Sequence, residues 1–381
     1  MQFRDLKTQY QVLKEDIDKA MTTVAANCNF ISGTEVKELE TQLAEYVGMK
    51  HCISCANGTD ALQIALMVFG IKEGDAVFVP DFTFFSSGEV VPECGGTPVF
   101  TDVEKETFNM DPESLRKAVA KVKAEGKLRP AAVVAVDLFG LPAKLEEIKA
   151  ICEEEGMYLL EDGAQGFGGN INGKIACSFG DISTTSFFPA KPLGCYGDGG
   201  AIFTDNDDWA ALARSIQVHG KGSTKYDNIR LGMNSRLDTL QAAILKVKLK
   251  AFREYELEKV NAAAAYYTKR FTEIFGADNE KIRLPLVPEG YYSSWAQYTL
   301  ILESNEKRDA LQTFLKERGI PSMIYYIKPM HEQLAFEVEP GTYDLPVTEM
   351  LCKRVLSLPI HPYLTEEDAD KVIEAVAEFL K

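Results

Sequence analysis

Between residues 55 and 205 the chain alternates between two hydrophobic patterns. Short apolar runs bounded by glycine or proline are typical of buried strands, and they occupy residues 76–80, 97–100, 131–136, 157–160, 182–187 and 201–204. Amphipathic stretches with helical spacing separate them, at residues 61–69, 112–124 and 143–155. This alternation predicts an α/β fold in which helices cover both faces of a mostly parallel sheet.

The remainder of the chain is organised differently. Residues 237–275 are rich in Ala, Leu, Lys and Glu, which predicts a long helical bridge between two domains. Strand-like and helical runs then alternate, at residues 297–302, 307–318, 322–326 and 366–380. We therefore expect a large domain over residues 1–250 and a smaller α+β domain over residues 251–381. The loop at 329–343 is long, and long loops in compact domains are often functional.

The composition narrows the classes of function. The chain has 381 residues, with 41 Lys and Arg against 57 Asp and Glu, for a formal net charge of −16. Because such a surface repels phosphate backbones and anionic membranes, we expect no nucleic-acid partner and no membrane partner. The first residues lack the apolar core of a signal peptide, and no apolar run is long enough to span a bilayer. These features predict a cytoplasmic protein.

The eight cysteines and four histidines do not have the spacing of a metal site. Cys52 and Cys55 have the spacing of a redox motif or of half a zinc site, but no second pair completes it. Their segment has the pattern of a strand, so small core residues are the better interpretation. We expect reduced thiols and no bound metal.

Residues 57–62 follow a strand-like run and open a helix. Gly58 lets the backbone approach a ligand closely, and the amides of Thr59 and Asp60 are expected to point outward, as in a phosphate cradle. An ordinary capped helix start is the simpler interpretation of this segment alone. The chain contains no P-loop and no G-x-G-x-x-G fingerprint, which argues against a nucleotide hydrolase or a nicotinamide dehydrogenase.

Glu161 and Asp162 end the strand-like run that begins at residue 157. Ligands of open α/β sheets bind beyond the carboxyl ends of strands. A carboxylate there suits a protonated pyridine nitrogen, because it keeps the ring cationic and an effective electron sink. A solvated strand end or a structural hydrogen bond is the simpler interpretation of an isolated acidic pair.

Lys191 lies in the most informative run, among aromatic residues and prolines and ahead of Gly194 and Gly199. Burial among such neighbours is expected to lower the pKa of the amine and to give it a neutral, nucleophilic form. From this segment alone, a plain Pro-Ala-Lys-Pro turn remains the alternative.

The three segments together supply a phosphate cradle, a ring-nitrogen carboxylate and a cofactor lysine. In this combination the sequence resembles the DegT/DnrJ/EryC1/StrS sugar aminotransferases over nearly its whole length. The matching motifs are Asn-Gly-Thr-Asp-Ala-Leu at 57–62, Glu-Asp-Gly-Ala-Gln at 161–165, Ser-Phe-Phe-Pro-Ala-Lys at 186–191 and Gly-Gly at 199–200. The resemblance implies the fold of aspartate aminotransferase (fold type I). It also implies pyridoxal 5'-phosphate as cofactor, with pyridoxamine phosphate as its intermediate form.

The resemblance further implies roles for individual residues. Lys191 is expected to hold the cofactor covalently and to act as acid and base in the proton shift. Asp162 is expected to pair with the pyridine nitrogen, and Gln165 to contact the phenolic oxygen. Phe84 matches the aromatic residue that stacks on the ring, although from the residues alone it would be a core phenylalanine. Related dehydratases have histidine in place of the lysine, so Lys191 favours amino transfer.

Phosphate binding and subunit sharing are implied in the same way. Gly58, Thr59, Asp60 and Ser186 are expected to bind the cofactor phosphate. Asn234 lies in a motif that family members lend to the active site of the neighbouring subunit, which implies a homodimer with shared sites. From the residues alone, the segment around Asn234 would be a helix cap.

Within the family, the runs at 185–203, 218–220 and 234–243 are most similar to aminotransferases that make UDP-2,3-diamino-glucuronate derivatives for bacterial surface polysaccharides. This similarity implies a UDP-linked 3-keto-uronate as acceptor and glutamate as donor, with 2-oxoglutarate released. The planar fork of arginine suits a carboxylate, so Arg236 is the candidate for binding the carboxylate of the substrate or donor.

Tyr325, Tyr326 and His331 are further candidates for the substrate pocket. The sequence departs here from the family pattern, because Tyr325 stands where histidine is expected and Lys328 where proline is expected. Core tyrosines and a solvated arginine are the alternatives for the substrate residues.

Two other functions are compatible with most of these residues. The first is the same chemistry on another nucleotide-linked 3- or 4-keto-hexose. The second is a non-catalytic regulator that binds pyridoxal phosphate on the same fold. The complete set of Lys191, Asp162 and Gln165 argues against the regulator, and so does the absence of a basic patch.

Overall fold

The computed structural model describes residues 1–224, 226–276 and 279–380. Up to residue 216 its elements are α1 (Leu6–Asn27), α2 (Thr34–Val47), β1 (His51–Cys55), α3 (Gly58–Phe69), β2 (Asp75–Pro80), α4 (Ser86–Glu93), β3 (Thr97–Thr101), α5 (Pro112–Glu125), β4 (Arg129–Val136), α6 (Leu145–Glu155), β5 (Tyr158–Asp162), β6 (Asn170–Ile171), β7 (Lys174–Ile175), β8 (Ile182–Ser186), β9 (Gly200–Thr204) and α7 (Asp207–Ile216). The remaining elements are α8 (Thr239–Ala251), α9 (Leu257–Phe275), β10 (Ile282–Arg283), β11 (Tyr291–Tyr292), β12 (Tyr298–Leu302), α10 (Asn305–Glu317), α11 (Pro346–Arg354), β13 (Val355–Leu358) and α12 (Glu366–Leu380).

A seven-stranded sheet with the order β1-β9-β8-β5-β4-β2-β3 forms the centre of the fold. The strands β8, β5, β4, β2 and β3 pair in parallel, and β9 runs antiparallel to both of its neighbours. Each strand-like run predicted between residues 55 and 205 forms a strand of this sheet, within one or two residues of the expected ends. The prediction of an α/β fold with a mostly parallel sheet is confirmed.

Helices bury both faces of the sheet. On one face α3 packs against the central strands through side chains such as Ile64 and Leu66. On the other face α5 and α6 pack through side chains such as Leu115 and Ile148. Strands covered on both sides are nearly continuous in apolar residues, which explains the run Val133–Val136 in β4. Within the described parts of the chain, no helix combines the length and apolarity needed to cross a membrane.

A second sheet, β10-β12-β13, lies towards the C-terminus and packs with α9, α10 and α12 around a core of its own. The predicted helical bridge is present as α8 and α9, joined without a break through a π-helical segment, Phe252–Glu256. The domain boundary after residue 250 falls in the last turn of α8 and stays a prediction. The pairing of β11 with β6 ties residues 291–292 back to the first part of the chain.

The strand predicted at residues 322–326 is wrong. Only Met323 pairs with the sheet, through an isolated bridge to Ser357. The apolar side chains that follow turn towards the large sheet instead, where the rings of Tyr326 and Phe82 meet edge to face at 5.9 Å. The segment is therefore apolar because its side chains pack against another part of the chain, and not because it forms a strand of a sheet.

Candidate active site

The start of α3 touches the end of β8 at the carboxyl edge of the sheet. A Cβ atom at position 58 would lie 2.7 Å from the Ser186 Cβ, so only glycine permits this approach. The hydroxyl oxygens of Thr59 and Ser86 lie 2.8 Å apart beside it. Three hydroxyl groups, from Thr59, Ser86 and Ser186, therefore surround the positive end of a helix, which is an arrangement suited to an anion.

One of the two amides expected to be free at this helix start is occupied. The side-chain oxygen of Asn57 accepts a hydrogen bond from the Asp60 amide at 2.8 Å. Asn57 is the N-cap residue of α3, and such residues bond the amide two or three positions ahead. The expectation of an outward-pointing amide is thus wrong for Asp60.

Asp162 lies at the end of β5 and is only 4% exposed. Its carboxylate accepts hydrogen bonds from the Ser87 hydroxyl at 2.8 Å and from the Ala164 amide at 3.1 Å. Burial raises the pKa of Asp162, while these bonds and the nearby Lys191 act in the opposite direction. Two bonds leave carboxylate lone pairs free for a further donor, such as a protonated ring nitrogen.

The neighbouring Glu161 has a structural role, because successive residues of a strand point to opposite faces. Its buried carboxylate accepts hydrogen bonds from the amides of Cys177 (2.5 Å) and Phe179 (2.8 Å) and from the Ser183 hydroxyl (2.7 Å). Of the acidic pair, only Asp162 is therefore available to a ligand.

Gln165 connects the site to the C-terminal part of the chain. Its side-chain oxygen accepts a hydrogen bond from the Phe139 amide at 2.9 Å, and its Nε2 donates to the Tyr326 hydroxyl at 3.2 Å. The ring of Tyr326 lies 6.5 Å from that of Phe84, measured between centroids. Phe84 is 53% exposed, which contradicts the core interpretation and leaves a ring face open for stacking.

Lys191 lies in a tight turn after β8, where its amide donates to the Phe188 carbonyl at 2.8 Å. Burial lowers the pKa of the Lys191 amine; the Asp162 carboxylate opposes this effect and the Arg4 guanidinium adds to it. The amine and the Asp162 carboxylate therefore influence each other across the site. A lysine with a lowered pKa has the neutral form that attacks a carbonyl group.

Three further residues of this group were not predicted from the sequence: Arg4, Ser86 and Ser87. Arg4 donates from Nη2 to the carbonyl oxygens of Lys191 at 3.1 Å and Pro192 at 3.4 Å. Both serines directly follow the aromatic run that contains Phe84, and a helix start there would have suggested inward-facing hydroxyls. No local signal distinguishes Arg4 from a solvated arginine.

Asn234 and Arg236 lie apart from this group of residues. Arg236 lines a surface cavity of about 1080 Å³ together with His219, Arg230 and Leu231, and Asn234 is exposed beside it. None of the described residues that line this cavity belongs to the group around Lys191 and Asp162. No described contact joins Asn234 or Arg236 to Lys191 or Asp162, although the Ser235 hydroxyl between them accepts the Ala56 amide at 3.1 Å, just ahead of α3.

His331 is held by a buried carboxylate. The Asp81 carboxylate contacts His331 Nδ1 at 2.7 Å and accepts its backbone amide at 2.8 Å. The hydrogen bond to Asp81 raises the pKa of His331. Tyr325 lies next to Tyr326 and meets the Phe3 ring edge to face at 6.3 Å. Tyr325 therefore adjoins the tyrosine that bonds Gln165, whereas the described contacts hold His331 against Asp81 at the end of β2.

The residues present fit pyridoxal phosphate. The hydroxyl groups of Thr59, Ser86 and Ser186 at the start of α3 suit a phosphate, the open face of Phe84 suits an aromatic ring, and Asp162 keeps acceptor sites free. With Lys191, these features define a pyridoxal-phosphate-dependent enzyme of fold type I. The chain belongs to the DegT/DnrJ/EryC1/StrS aminotransferase family, whose family model matches residues 11–377.

Individual relatives agree with this assignment. The chain is 42% identical over 364 residues to a UDP-2-acetamido-2-deoxy-3-oxo-D-glucuronate aminotransferase of Pseudomonas aeruginosa, covering 96% of each chain. It is 40% identical over 378 residues to a pleiotropic regulatory protein of Geobacillus stearothermophilus, covering 99% of this chain and 98% of the relative. The crystal structure of a family aminotransferase from Brucella abortus superimposes with a TM-score of 0.94 at 47% identity, covering 100% of this chain and 99% of the other.

The separate environments of the two adjacent carboxylates predict separate effects. Asp162→Asn removes the charge that would face the ring nitrogen, so amino transfer should slow roughly a hundredfold or more while the melting temperature changes little. Glu161→Gln places an amide group among donors, so it should lower stability by about 1–3 kcal/mol and leave the cofactor spectrum unchanged. Absorption spectra, single-turnover rates and thermal unfolding test both variants. Equal effects of the two variants on either property would contradict the assignment.

Proposed function

We propose that this protein transfers the amino group of glutamate to the 3-keto position of UDP-linked 2-acetamido-2-deoxy-3-oxo-glucuronate, for bacterial surface polysaccharide of the O-antigen type. The observation that carries the proposal is the placement of Lys191 and Asp162 in mutual electrostatic influence beside Gln165. The identity with the Pseudomonas aeruginosa enzyme supports this choice of sugar nucleotide.

Each residue of the site has a part in holding the cofactor. When bound, pyridoxal phosphate supplies an electron sink for the carbon that loses or gains a proton. Asp162 would hold the proton on the ring nitrogen, and Gln165 would orient the ring through its phenolic oxygen. Phe84 would cover one face of the ring. The phosphate would lie among the residues at the helix start, namely Gly58, Thr59, Asp60 and Ser186.

Lys191 would move the proton. Its Nζ would take a proton from the α-carbon of glutamate and, in the second half-reaction, deliver one to the carbon that becomes aminated. This role needs the neutral amine, and burial lowers the pKa of Lys191 towards that form. The two half-reactions share one site, so the kinetics should be ping-pong.

Arg236 would bind the carboxylate of the uronate or of glutamate, and Tyr325, Tyr326 and His331 would line the sugar pocket. The hydrogen bond to Asp81 raises the pKa of His331, but the Asp81 carboxylate balances the charge that the ring gains on protonation. Arg236 is therefore the group whose charge would attract an anionic substrate locally, on a protein whose net charge is −16.

A homodimer would bring the two groups of residues together. Within one chain Asn234 and Arg236 do not contact Lys191. This supports a shared site, in which the two residues would reach the cofactor residues of the other subunit. Exposed apolar side chains adjoin them: Leu231 is 92% exposed and Ile229 57% exposed. Ile31, which forms a bridge with Asp238, extends this apolar surface on the other side of the motif. Surfaces of this kind usually become buried in an interface.

Two alternatives keep specific support. Another nucleotide-linked keto-hexose would use the same cofactor residues and differ only around Arg236 and Tyr325. A regulatory role has the Geobacillus stearothermophilus relative, named as a pleiotropic regulatory protein, in its favour. The complete set of Lys191, Asp162 and Gln165 favours turnover over binding alone.

Lys191→Ala tests the central role. The purified wild-type protein with pyridoxal phosphate should show a visible absorption band that glutamate bleaches, and the variant should show neither band nor bleaching. Lys149→Ala is a matched control, because Lys149 is a half-buried lysine on α6 that pairs with Asp181 at the opposite edge of the sheet. Retention of the Lys191→Ala band, or loss of the Lys149→Ala band, would contradict the assignment. A band that glutamate leaves unchanged in the wild type would favour the regulator.

Arg236→Ala tests the sugar. Loss of charge-assisted bonds to a carboxylate costs about 1.5–3 kcal/mol, so kcat/KM for the 3-keto-uronate should fall roughly tenfold to a hundredfold. A neutral keto-hexose linked to the same nucleotide should react at an unchanged rate. Arg230→Ala is the control, because Arg230 lines the same cavity. An equal loss on both sugars would assign Arg236 to the glutamate carboxylate instead.

Subunit mixing tests the shared site. Lys191→Ala and the double variant Asn234→Ala/Arg236→Ala should each be inactive as homodimers. After unfolding and refolding of an equal mixture, half of the dimers should be mixed and each should contain one native site, which restores about one quarter of wild-type activity. Sites built within one subunit would give no restoration.

A further inference from the structure

The segment ahead of α1 crosses the turn that carries Lys191. Arg4 Nη2 donates to the carbonyl oxygens of Lys191 at 3.1 Å and of Pro192 at 3.4 Å. Both ends of the segment are held. The Phe3 carbonyl accepts the Ile360 amide at 3.4 Å, and Asp5 caps α1 by accepting the Thr8 amide at 2.8 Å. The segment is thus a strap between the C-terminal part of the chain and the candidate cofactor lysine.

The guanidinium of Arg4 is incompletely bonded. Its Nη1 is buried and has no hydrogen-bond partner among the described residues. A buried donor without a partner is unfavourable for stability, and an apolar side chain of similar length would avoid the cost. The arrangement is therefore poorly explained as a device for stability.

Several charged groups surround the strap. Lys191 faces the Asp162 carboxylate and the Arg4 guanidinium. Arg4 in turn faces Glu256, and it acts on Lys248 and His361. Burial lowers the pKa of Arg4 to about 10 and Glu256 opposes this effect, so Arg4 remains a cation at neutral pH.

The other groups only partly compensate this cation. Glu256 also accepts hydrogen bonds from Gln9 at 2.9 Å and from Tyr363 at 2.6 Å. Burial lowers the pKa of His361 to about 4, so His361 is neutral near pH 7. Burial lowers the pKa of Lys248 to about 8, so Lys248 is mostly charged there. Two cations, Arg4 and Lys248, therefore share one carboxylate behind the Lys191 turn.

We propose that Arg4 is a positioning residue that clamps the Lys191 turn through two carbonyl oxygens, and that its fixed charge acts on the Lys191 amine. A single nitrogen, Nη2, reaches both carbonyl oxygens, and a lysine side chain, which is one atom shorter, would not extend as far. The charge makes protonation of the nearby amine less favourable. This inference rests on the proposed role of Lys191. It means that a residue outside the cofactor pocket helps to position the Lys191 amine and to keep it neutral.

The test uses the cofactor-free full chain, with Arg4→Met, Arg4→Lys and the wild type. Reductive methylation of Lys191 is followed by peptide mass spectrometry between about pH 6 and pH 10, with the exposed Lys117 as internal reference. Arg4→Met removes a repelling positive charge, so the midpoint for Lys191 should move to higher pH. Arg4→Lys keeps a charge, so its midpoint should stay near that of the wild type.

The clamp has a readout of its own in the cofactor-loaded protein. Both variants lose the contact of Nη2 with the two carbonyl oxygens, so pyridoxal phosphate should dissociate roughly tenfold faster from each, as expected for a loss of about 1.4 kcal/mol. Thermal unfolding should place Arg4→Met at or above the melting temperature of the wild type.

Arg308→Met is the matched control. Arg308 is also buried and donates to a backbone carbonyl, that of Cys352 at 3.2 Å, but it lies on α10. This control should leave both the Lys191 midpoint and cofactor release unchanged. An unshifted or lowered midpoint in Arg4→Met, or the same shift in Arg308→Met, overturns the proposal. Because the midpoint is measured without cofactor, it is independent of the Lys191→Ala spectrum that decides the proposed function.

Discussion

The interaction on which the site depends is the opposition of two desolvated charges at the carboxyl edge of the parallel sheet. Helices bury both faces of the sheet, and at this edge Asp162 is 4% exposed while Lys191 is half-buried. Burial there raises the pKa of Asp162 and lowers that of Lys191, while each group partly stabilises the charge of the other. A buried charged group is unfavourable for stability unless a ligand or another residue forms hydrogen bonds with it. Both residues are therefore suited to binding a cofactor.

At the same edge, the alternation of side chains along a strand decides which groups face a ligand and which have a structural role. The alternation of a strand sends Asp162 towards the site and Glu161 into a set of backbone amides. The tight approach of Gly58 to Ser186 joins a helix start to a strand end, and so brings polar groups of distant segments around one anion site. Gln165 then links this edge to Tyr326, so that a residue after the helical bridge joins the same group of side chains.

Much of this was accessible from the sequence because the relevant signals are local. The apolar runs and their punctuation predicted the strands of the central sheet, and the combination of three short motifs, through its resemblance to a family, implied the roles of Lys191, Asp162 and the phosphate cradle. Even so, the strand expected at 322–326 is absent, because its apolar side chains pack against Phe82 and Phe84 and not within a sheet. Hydrophobic periodicity indicates that a residue is buried, but it does not indicate which part of the protein the residue packs against.

The sequence by itself determined the class of fold and the alternation of strands and helices around the large sheet, since both depend on neighbours within a few positions. Its motifs, taken together, implied the residues of the cofactor site. Only the tertiary structure decided that the Asp60 amide is already capped, that Asn234 and Arg236 lie apart from Lys191, and that Arg4 holds the Lys191 turn. The contact of Arg4 with Lys191 joins residues 187 positions apart. Such contacts arise from the packing of whole elements, and no local pattern encodes them.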